Sequence, residues 1–183
     1  FHVGYQMRIS LIGPVYPYRG GIAHFTTMLA KKLVEQGHDV QVISFKKQYP
    51  AWLYPGKSDK DTSPGRIKVP ADYLLTPYNP LTWLQTAQSI KKFKPQKVIF
   101  PWWVTIWGPA FRYLLKKLRK TGTPTTFLIH NTTPHESHWW DPFIVKETLK
   151  WAEQFIVMSE KEKSRIKALI PDAKNISIVP HPI

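Results

Sequence analysis

Residues 9–45, ISLIGPVYPYRGGIAHFTTMLAKKLVEQGHDVQVISF, decide the fold class of this chain. The apolar run Ile9–Gly13 predicts a strand, and apolar residues at helical spacing predict a helix over Ile22–Gln36. Gly37 is a typical end for that helix, and the apolar run Val40–Phe45 predicts a second strand. A strand, a helix and a strand in this order predict a βαβ unit, in which the two strands are parallel.

The same alternation continues to the end of the chain. Further helices are predicted over 81–93, 109–120, 142–152 and 159–169, and further strands over 97–100, 125–129, 154–158 and 176–179. The segment Lys46–Pro80 is polar and contains several prolines, and its pattern predicts at most a short strand around Ile67–Val69. The whole pattern predicts an α/β domain of three layers, Rossmann-like, with a mostly parallel sheet of about six or seven strands.

The composition is that of a globular domain with a large excess of positive charge. Hydrophobic residues make up 43% and charged residues 21% of the 183 residues, which is typical of a folded chain. The formal net charge of +14 predicts attraction to ligand phosphates, an anionic membrane surface or nucleic acid. The sequence has no cysteine, which excludes disulfides and thiolate chemistry. No run reaches the ~20 apolar residues of a membrane-spanning helix.

The start of the chain differs from the rest of the sequence. Residues 1–6 lack the features of a signal peptide, and Met7 precedes the first predicted strand. We therefore interpret residues 1–6 as a cloning remnant and residues 7–183 as the domain.

The loop after the first strand is a candidate phosphate site. Gly20 and Gly21 lie where a helix begins, and paired glycines there let backbone N–H groups approach an anion. The loop matches no standard nucleotide fingerprint. A turn in which the glycines only satisfy backbone angles is an equally good interpretation of these residues alone.

Three short motifs together resemble the opening of glycosyltransferase family 4. They are the pair Gly20-Gly21, LAKKL at Leu29–Leu33, and GHDV at Gly37–Val40, in this order. Near the end, Ile178–Pro182 is similar to the connection between the two domains of that family. The resemblance implies one half of a GT-B fold, in which two Rossmann-like domains face each other across a cleft.

The resemblance also implies the domain organisation and the reaction. Residues 7–183 would be the N-terminal, acceptor-side domain, and the C-terminal donor-binding domain, with its E-x7-E motif, would be absent from this chain. The full-length enzyme would be a retaining hexosyltransferase that moves a sugar from a nucleotide sugar to a saccharide or lipid-linked acceptor, as in the synthesis of cell-envelope polysaccharides. The half alone is expected to be inactive. No covalently bound cofactor and no metal is expected.

The predicted strand 125–129 ends at His130, followed by Asn131. The resemblance implies that His130 is the catalytic residue that contacts the transferred sugar, and that Gly20 and Gly21 bind the donor phosphates. A capping or loop histidine is the simpler interpretation of His130 without the resemblance. The nearby pattern H-E-x-H lacks the spacing of the zinc motif H-E-x-x-H, so we expect no zinc site.

Aromatic residues follow several predicted strands. Because the carboxyl ends of parallel strands meet at one edge of a sheet, we expect these residues and their neighbours to form an acceptor-binding surface. Its predicted members are Tyr16, Tyr18, Arg19, Trp102, Trp103, Asn131 and Trp140. Packing beneath the loops is the alternative for any single tryptophan.

The predicted helix 109–120 carries a cluster of basic residues, Arg112, Lys116, Lys117, Arg119 and Lys120. Such a helix usually has a solvated face, and the more specific interpretation is a surface for anionic lipids. We therefore expect a cytoplasmic protein that can lie peripherally on the inner face of the plasma membrane.

Three other functions fit parts of the pattern. The first is a stand-alone Rossmann-like module that binds sugars or phosphates, and the second is a sugar-nucleotide epimerase with the same architecture. The third is a basic nucleic-acid-binding domain, against which the absence of any recognised nucleic-acid motif argues.

Overall fold

The fold was analysed in a computed structural model, which describes residues 5–47, 60, 65, 67–130 and 141–179. The described strands form one seven-stranded parallel sheet in the order β3-β2-β1-β4-β5-β6-β7. Their bounds are β1 Arg8–Ile12, β2 Asp39–Phe45, β3 Asp72–Leu75, β4 Lys97–Trp102, β5 Thr125–Ile129, β6 Gln154–Val157 and β7 Ile176–Ile178. The predicted α/β, Rossmann-like class with a parallel sheet of six or seven strands is therefore confirmed.

The α-helices of the described ranges connect the strands. Their bounds are α1 Gly21–Glu35, α2 Pro80–Phe93, α3 Gly108–Thr121, α4 Asp141–Leu149 and α5 Glu160–Leu169. Local sequence explains where two of them begin. The Asn79 side chain accepts a hydrogen bond from the Leu81 N–H at the start of α2, and the Ser159 hydroxyl accepts one from the Glu162 N–H in α5. None of the described helices is long and apolar enough to cross a membrane.

The chain divides into two compact units, residues 1–98 and 99–183. In the first unit, β1 pairs in parallel with β2, and β2 with β3. Strand β1 is buried from Ile9 onward, and β2 is buried over its last four residues. Such strands read as continuous apolar runs because helices cover both faces of the sheet.

The second unit has an aromatic core. Phe100 stacks on Phe127 with ring centroids 5.2 Å apart, and its edge contacts Phe111 at 5.2 Å. Trp107 stacks on Phe111 at 5.7 Å, and Trp102 meets Phe127 at 6.1 Å. Each of these five rings is at most 1% exposed, so they pack together as a single buried cluster.

Helices α3 and α4 approach each other closely at Gly108. The Thr148 hydroxyl donates a hydrogen bond to the Gly108 carbonyl at 3.3 Å. A methyl group on Gly108 would overlap Ile144 Cγ2 and lie 3.1 Å from Thr148 Oγ1. The absence of a side chain at Gly108 is therefore a packing requirement.

The structure differs from the predicted elements in three main respects. The short strand expected around Ile67–Val69 is not formed, and the edge strand β3 lies further along the chain at Asp72–Leu75. A short 3-10 helix, Thr105–Trp107, precedes α3. Strand β4 also extends to Trp102, two residues past its predicted end, which moves Trp102 from a loop into the core.

Candidate functional site

The loop between β1 and α1 is held to its own unit by backbone and tyrosine hydrogen bonds. The Gly13 N–H donates to the Ile43 carbonyl at 3.0 Å. The Tyr18 hydroxyl donates to the Phe45 carbonyl at 2.5 Å, and the Tyr73 hydroxyl donates to the Tyr16 carbonyl. These bonds fix the loop before it reaches Gly20.

The Tyr73 hydroxyl is protonated at neutral pH, as a donor must be. Burial raises the pKa of Tyr73 above its usual value, and the neighbouring Tyr16 raises this pKa further. Both effects favour the neutral phenol. The hydrogen bond to the Tyr16 carbonyl therefore persists across the physiological pH range.

The first turn of α1 is open to an anion. Gly20 adopts φ 106° and ψ 169°, a region available in practice only to glycine. Among the described residues no side chain caps the helix, its first turn contains no acidic residue, and both Gly20 and Gly21 are exposed. A Cβ added at Gly21 would meet no described atom within 4 Å. Among the described residues no side-chain acceptor caps the backbone N–H groups of this turn, and the positive end of the helix dipole lies there.

A small pocket adjoins this turn, with a volume of about 190 Å³. Its lining residues are Tyr16, Tyr18, Gly20, Ala23, His24, Thr27, Gly65 and Ile67. The Lys68 Nζ lies 5.2 Å from the centre of the Tyr16 ring, within the range of a cation–π contact. Aromatic, hydroxyl and cationic groups thus lie beside the open helix end, and they suit a polar ligand with negative charge.

His130 directly follows β5 in the second unit. All five residues of β5 are buried, and the His130 N–H donates to the Trp102 carbonyl at 2.9 Å. His130 as a whole residue is partly exposed, and its Nε2 atom is buried. The backbone at His130 is thus held by a buried strand, and its imidazole lies at the carboxyl end of that strand, where α/β sheets bind ligands.

The predicted acceptor residues have different environments. Tyr16 and Trp103 are partly exposed, and Arg19 is exposed. Tyr18 is 6% exposed and Trp102 is 1% exposed. Their burial argues against direct sugar contacts by either ring, because Tyr18 anchors the loop and Trp102 packs in the aromatic core. The remaining two, Asn131 and Trp140, lie outside the described residues.

Three residues of these regions were not singled out as binding or anchoring groups from the sequence. Lys68 and Tyr73 act on the first loop from the segment 46–80, whose contacts no periodicity indicates. Asp141 is 3% exposed, begins α4, and accepts a hydrogen bond from the Thr105 hydroxyl at 2.8 Å. An aspartate just before Pro142 is a typical signal of a helix start, and this signal could have identified Asp141.

The predicted basic surface lies on α3. Arg112 differs from the other four members, because it pairs with Glu147 at 3.9 Å. Lys117, Arg119 and Lys120 are exposed and Lys116 is partly exposed. Within the described ranges, no group of three or more histidine, cysteine, aspartate or glutamate side chains is arranged to hold a metal ion.

Several solved structures share this fold. An alpha-glucosyltransferase in complex with UDP-glucose and DNA containing an abasic site is 13% identical, with a TM-score of 0.62 over 98% of this chain and 44% of its own. Sucrose-phosphate synthase from Thermosynechococcus elongatus is 14% identical, with a TM-score of 0.56 over 96% of this chain and 89% of the solved one. UDP-GlcNAc 2-epimerase from Neisseria meningitidis, bound to UDP-GlcNAc, is 11% identical, with a TM-score of 0.62 over 94% of this chain and 46% of the epimerase chain.

These similarities establish the fold of the chain and its extent relative to those enzymes. The chain spans less than half of the length of the alpha-glucosyltransferase and of the epimerase. No curated protein matches the sequence significantly.

The family follows from the sequence itself. The family model described as Glycosyltransferase Family 4 matches residues 19–183, which is most of the chain. The resemblance carried by Gly20-Gly21, Leu29–Leu33 and Gly37–Val40 is thereby confirmed. The chain belongs to glycosyltransferase family 4, and its fold is that of one half of a GT-B enzyme.

Proposed function

We propose that this chain is the N-terminal, acceptor-side domain of a retaining glycosyltransferase that transfers a hexose from a nucleotide sugar to a saccharide or lipid-linked acceptor. The observation that carries the proposal is the open first turn of α1, fixed by the loop before it and free of acidic side chains. UDP-glucose and UDP-GlcNAc are bound in two of the structures with the same fold, which supports a nucleotide sugar as the donor.

In this proposal the first unit positions the donor and the acceptor. The N–H groups after Gly20 and Gly21 bind the donor diphosphate, and the helix dipole stabilises its charge. Tyr16, Lys68 and Arg19 contact the acceptor beside the small pocket. On the family resemblance, we assign His130 the contact with the transferred sugar and keep the partly exposed Trp103 as a candidate acceptor residue.

Transfer breaks the bond between the anomeric carbon and the donor phosphate oxygen and forms a bond from that carbon to the acceptor oxygen. The proton of the acceptor hydroxyl passes to the departing phosphate oxygen, so the chain itself needs no general base. His130 stabilises the sugar as positive charge develops at its anomeric carbon. The second, donor-binding domain completes the nucleotide site in the full polypeptide.

The isolated chain is expected to bind a donor weakly and to transfer nothing. Titration with UDP-glucose, followed by nuclear magnetic resonance, should shift amide signals of Gly20, Gly21 and Ile22 with a Kd in the millimolar range, about 4 kcal/mol of binding free energy. UDP-glucose should show no hydrolysis, transfer or epimerisation in the same sample. Shifts confined to other residues would contradict the proposed phosphate site, and an epimerised product would favour the epimerase alternative.

The two glycines of the site should respond differently to alanine. Gly21→Ala should leave the free energy of unfolding within about 0.5 kcal/mol, because its methyl group meets no described protein atom. The same methyl group would occupy the space of the phosphate, so we expect the affinity for UDP-glucose to fall about tenfold, or about 1.4 kcal/mol. Gly20→Ala is the comparison, because its φ of 106° should make the variant about 1–3 kcal/mol less stable. Unchanged affinity in Gly21→Ala would contradict the site.

A further inference from the structure

A groove of about 420 Å³ lies on the second unit, where α3 meets the turn after α4. Its lining residues are Tyr113, Lys116, Lys117, Arg119, Lys120 and Trp151. We call it the α3 groove. Its walls are aromatic rings and the aliphatic stems of long basic side chains, so the groove combines apolar surface with four positive charges.

Cation–π contacts hold the charges of the α3 groove in place. The Lys116 Nζ lies 5.0 Å and the Arg119 guanidinium carbon 5.1 Å from the centre of the Trp151 ring. The Lys117 Nζ lies 5.5 Å from the centre of the Tyr113 ring. Because three of the four cations rest on rings of the groove, less side-chain freedom is lost when an anion binds them.

Carboxylates do not neutralise the α3 groove. The nearby Glu147 binds Lys150 at 2.8 Å and Arg112 at 3.9 Å. The hydrogen bond from Lys150, with the positive charges of Lys150, Arg112 and Lys146, lowers the pKa of Glu147, so this carboxylate is ionised at neutral pH. Across the described part of the chain, no ion pair involves Lys116, Lys117, Arg119 or Lys120. Their four charges remain available to an external anion.

The α3 groove lies at the end of the second unit opposite His130. Helix α3 ends at Thr121 before β5 begins, and α4 ends at Leu149 before β6 begins, so both helices end at the amino-terminal edge of the parallel strands. His130 leaves β5 at the other edge, and five residues of strand span about 16 Å. A ligand in the groove is therefore separate from the proposed transfer chemistry.

We propose that the α3 groove docks the protein on an anionic membrane surface by binding lipid phosphates. The basic heads reach the phosphates, while Tyr113, Trp151 and the lysine stems contact the region just beneath them. Nucleic acid fits less well, because Lys116 and Arg119 already lie over the Trp151 ring on which a base would stack. When the α3 groove is bound to the membrane, the carboxyl edge of the strands of the second unit faces away from the lipid.

The test is vesicle sedimentation with two variants that lose equal charge. Lys116→Gln/Arg119→Gln/Lys120→Gln removes three charges from the α3 groove, and Lys91→Gln/Lys92→Gln/Lys94→Gln removes three from the end of α2. We expect the parent to bind vesicles of phosphatidylcholine with phosphatidylglycerol but not pure phosphatidylcholine. The groove variant should bind on the order of 100-fold more weakly, and the α2 variant less than about fivefold. Both should unfold at the parental temperature.

Three results would overturn the proposal. Equal losses in the two variants would indicate general charge attraction. Equal binding to neutral and anionic vesicles would show that the negative charge of the surface is not recognised. A single-stranded oligonucleotide that binds the parent but not the groove variant, without vesicle binding, would identify nucleic acid instead. In the conservative variant Lys116→Arg/Lys120→Arg, full vesicle binding should remain, and its loss would argue that the substitutions act by disturbing the fold.

Discussion

Replacing Gly108 by alanine should make the protein about 2–3 kcal/mol less stable, although alanine is the better helix former. The methyl group would overlap Ile144 Cγ2, which is attached to a branched and therefore stiff side chain. It would also crowd the Thr148 hydroxyl, which donates to the Gly108 carbonyl. Relief requires α3 and α4 to separate, which would loosen the packing of the second unit. Urea unfolding followed by circular dichroism measures the change.

Gly21→Ala is the matched control for Gly108→Ala. Gly21 is likewise the first residue of its helix, but a Cβ there meets no described atom within 4 Å, so its stability should barely change. The double variant Gly108→Ala/Ile144→Ala should lose less stability than the sum of the two single changes, because the second change removes the overlap. Equal stabilities of Gly108→Ala and Gly21→Ala would show that α3 and α4 are not in close contact at this point.

His130→Ala in the full polypeptide should lower kcat/KM for sugar transfer on the order of 100-fold, about 2.7 kcal/mol of transition-state stabilisation. The expectation rests on the proposed function. The backbone at His130 is held at the end of a buried strand, so removal of the imidazole should not disturb β5. Steady-state kinetics with the donor varied at saturating acceptor measures the loss, and thermal unfolding of the same sample checks the fold.

A second histidine serves as the control for His130→Ala. The His38 Nδ1 accepts a hydrogen bond from the Met7 N–H at 3.1 Å, in the turn before β2, where a glutamine can replace it. His38→Gln should retain transfer within about twofold of the parent. If His130→Ala also transfers at the parental rate, His130 is a strand-end residue without a catalytic part.

Elements with strong periodicity could be predicted from the sequence. Strand β5 has its predicted bounds, and α2 begins one residue before its predicted start, because an apolar run and a helical repeat are local signals. Strand β3 could not be placed, since it is an edge strand of four residues within a long polar segment, and its position depends on pairing with β2. The close contact at Gly108 depends on the packing of α3 against α4, which no local pattern describes.

Those candidate site residues whose positions follow from the predicted strands and helices could be identified from the sequence. Gly20 and Gly21 follow from their place between a strand and a helix, and His130 from its place after a strand. The burial of Trp102 could not be predicted, because a strand covered on both faces carries no alternation that separates buried from exposed positions. The burial of Tyr18 could not be predicted, because it accompanies a hydrogen bond from its hydroxyl to the Phe45 carbonyl in β2. The contacts of Tyr73 and Lys68 with the first loop arise from residues more than 50 positions away in the chain.

The charges in the first turns of the helices have a consequence for where an anion can bind. Helix α5 begins with Glu160 and Glu162 behind the Ser159 cap, and α4 begins with Asp141, so each of these helices supplies its own negative charge. Helix α2 is capped by Asn79. An anion approaching any of these three ends competes with groups that the chain already provides. Among the described residues α1 and α3 have no such competitor, but Gly108 at the start of α3 is buried, whereas Gly20 and Gly21 are exposed. The proposed diphosphate site at α1 would therefore be favoured by access and by lack of competition as well as by attraction.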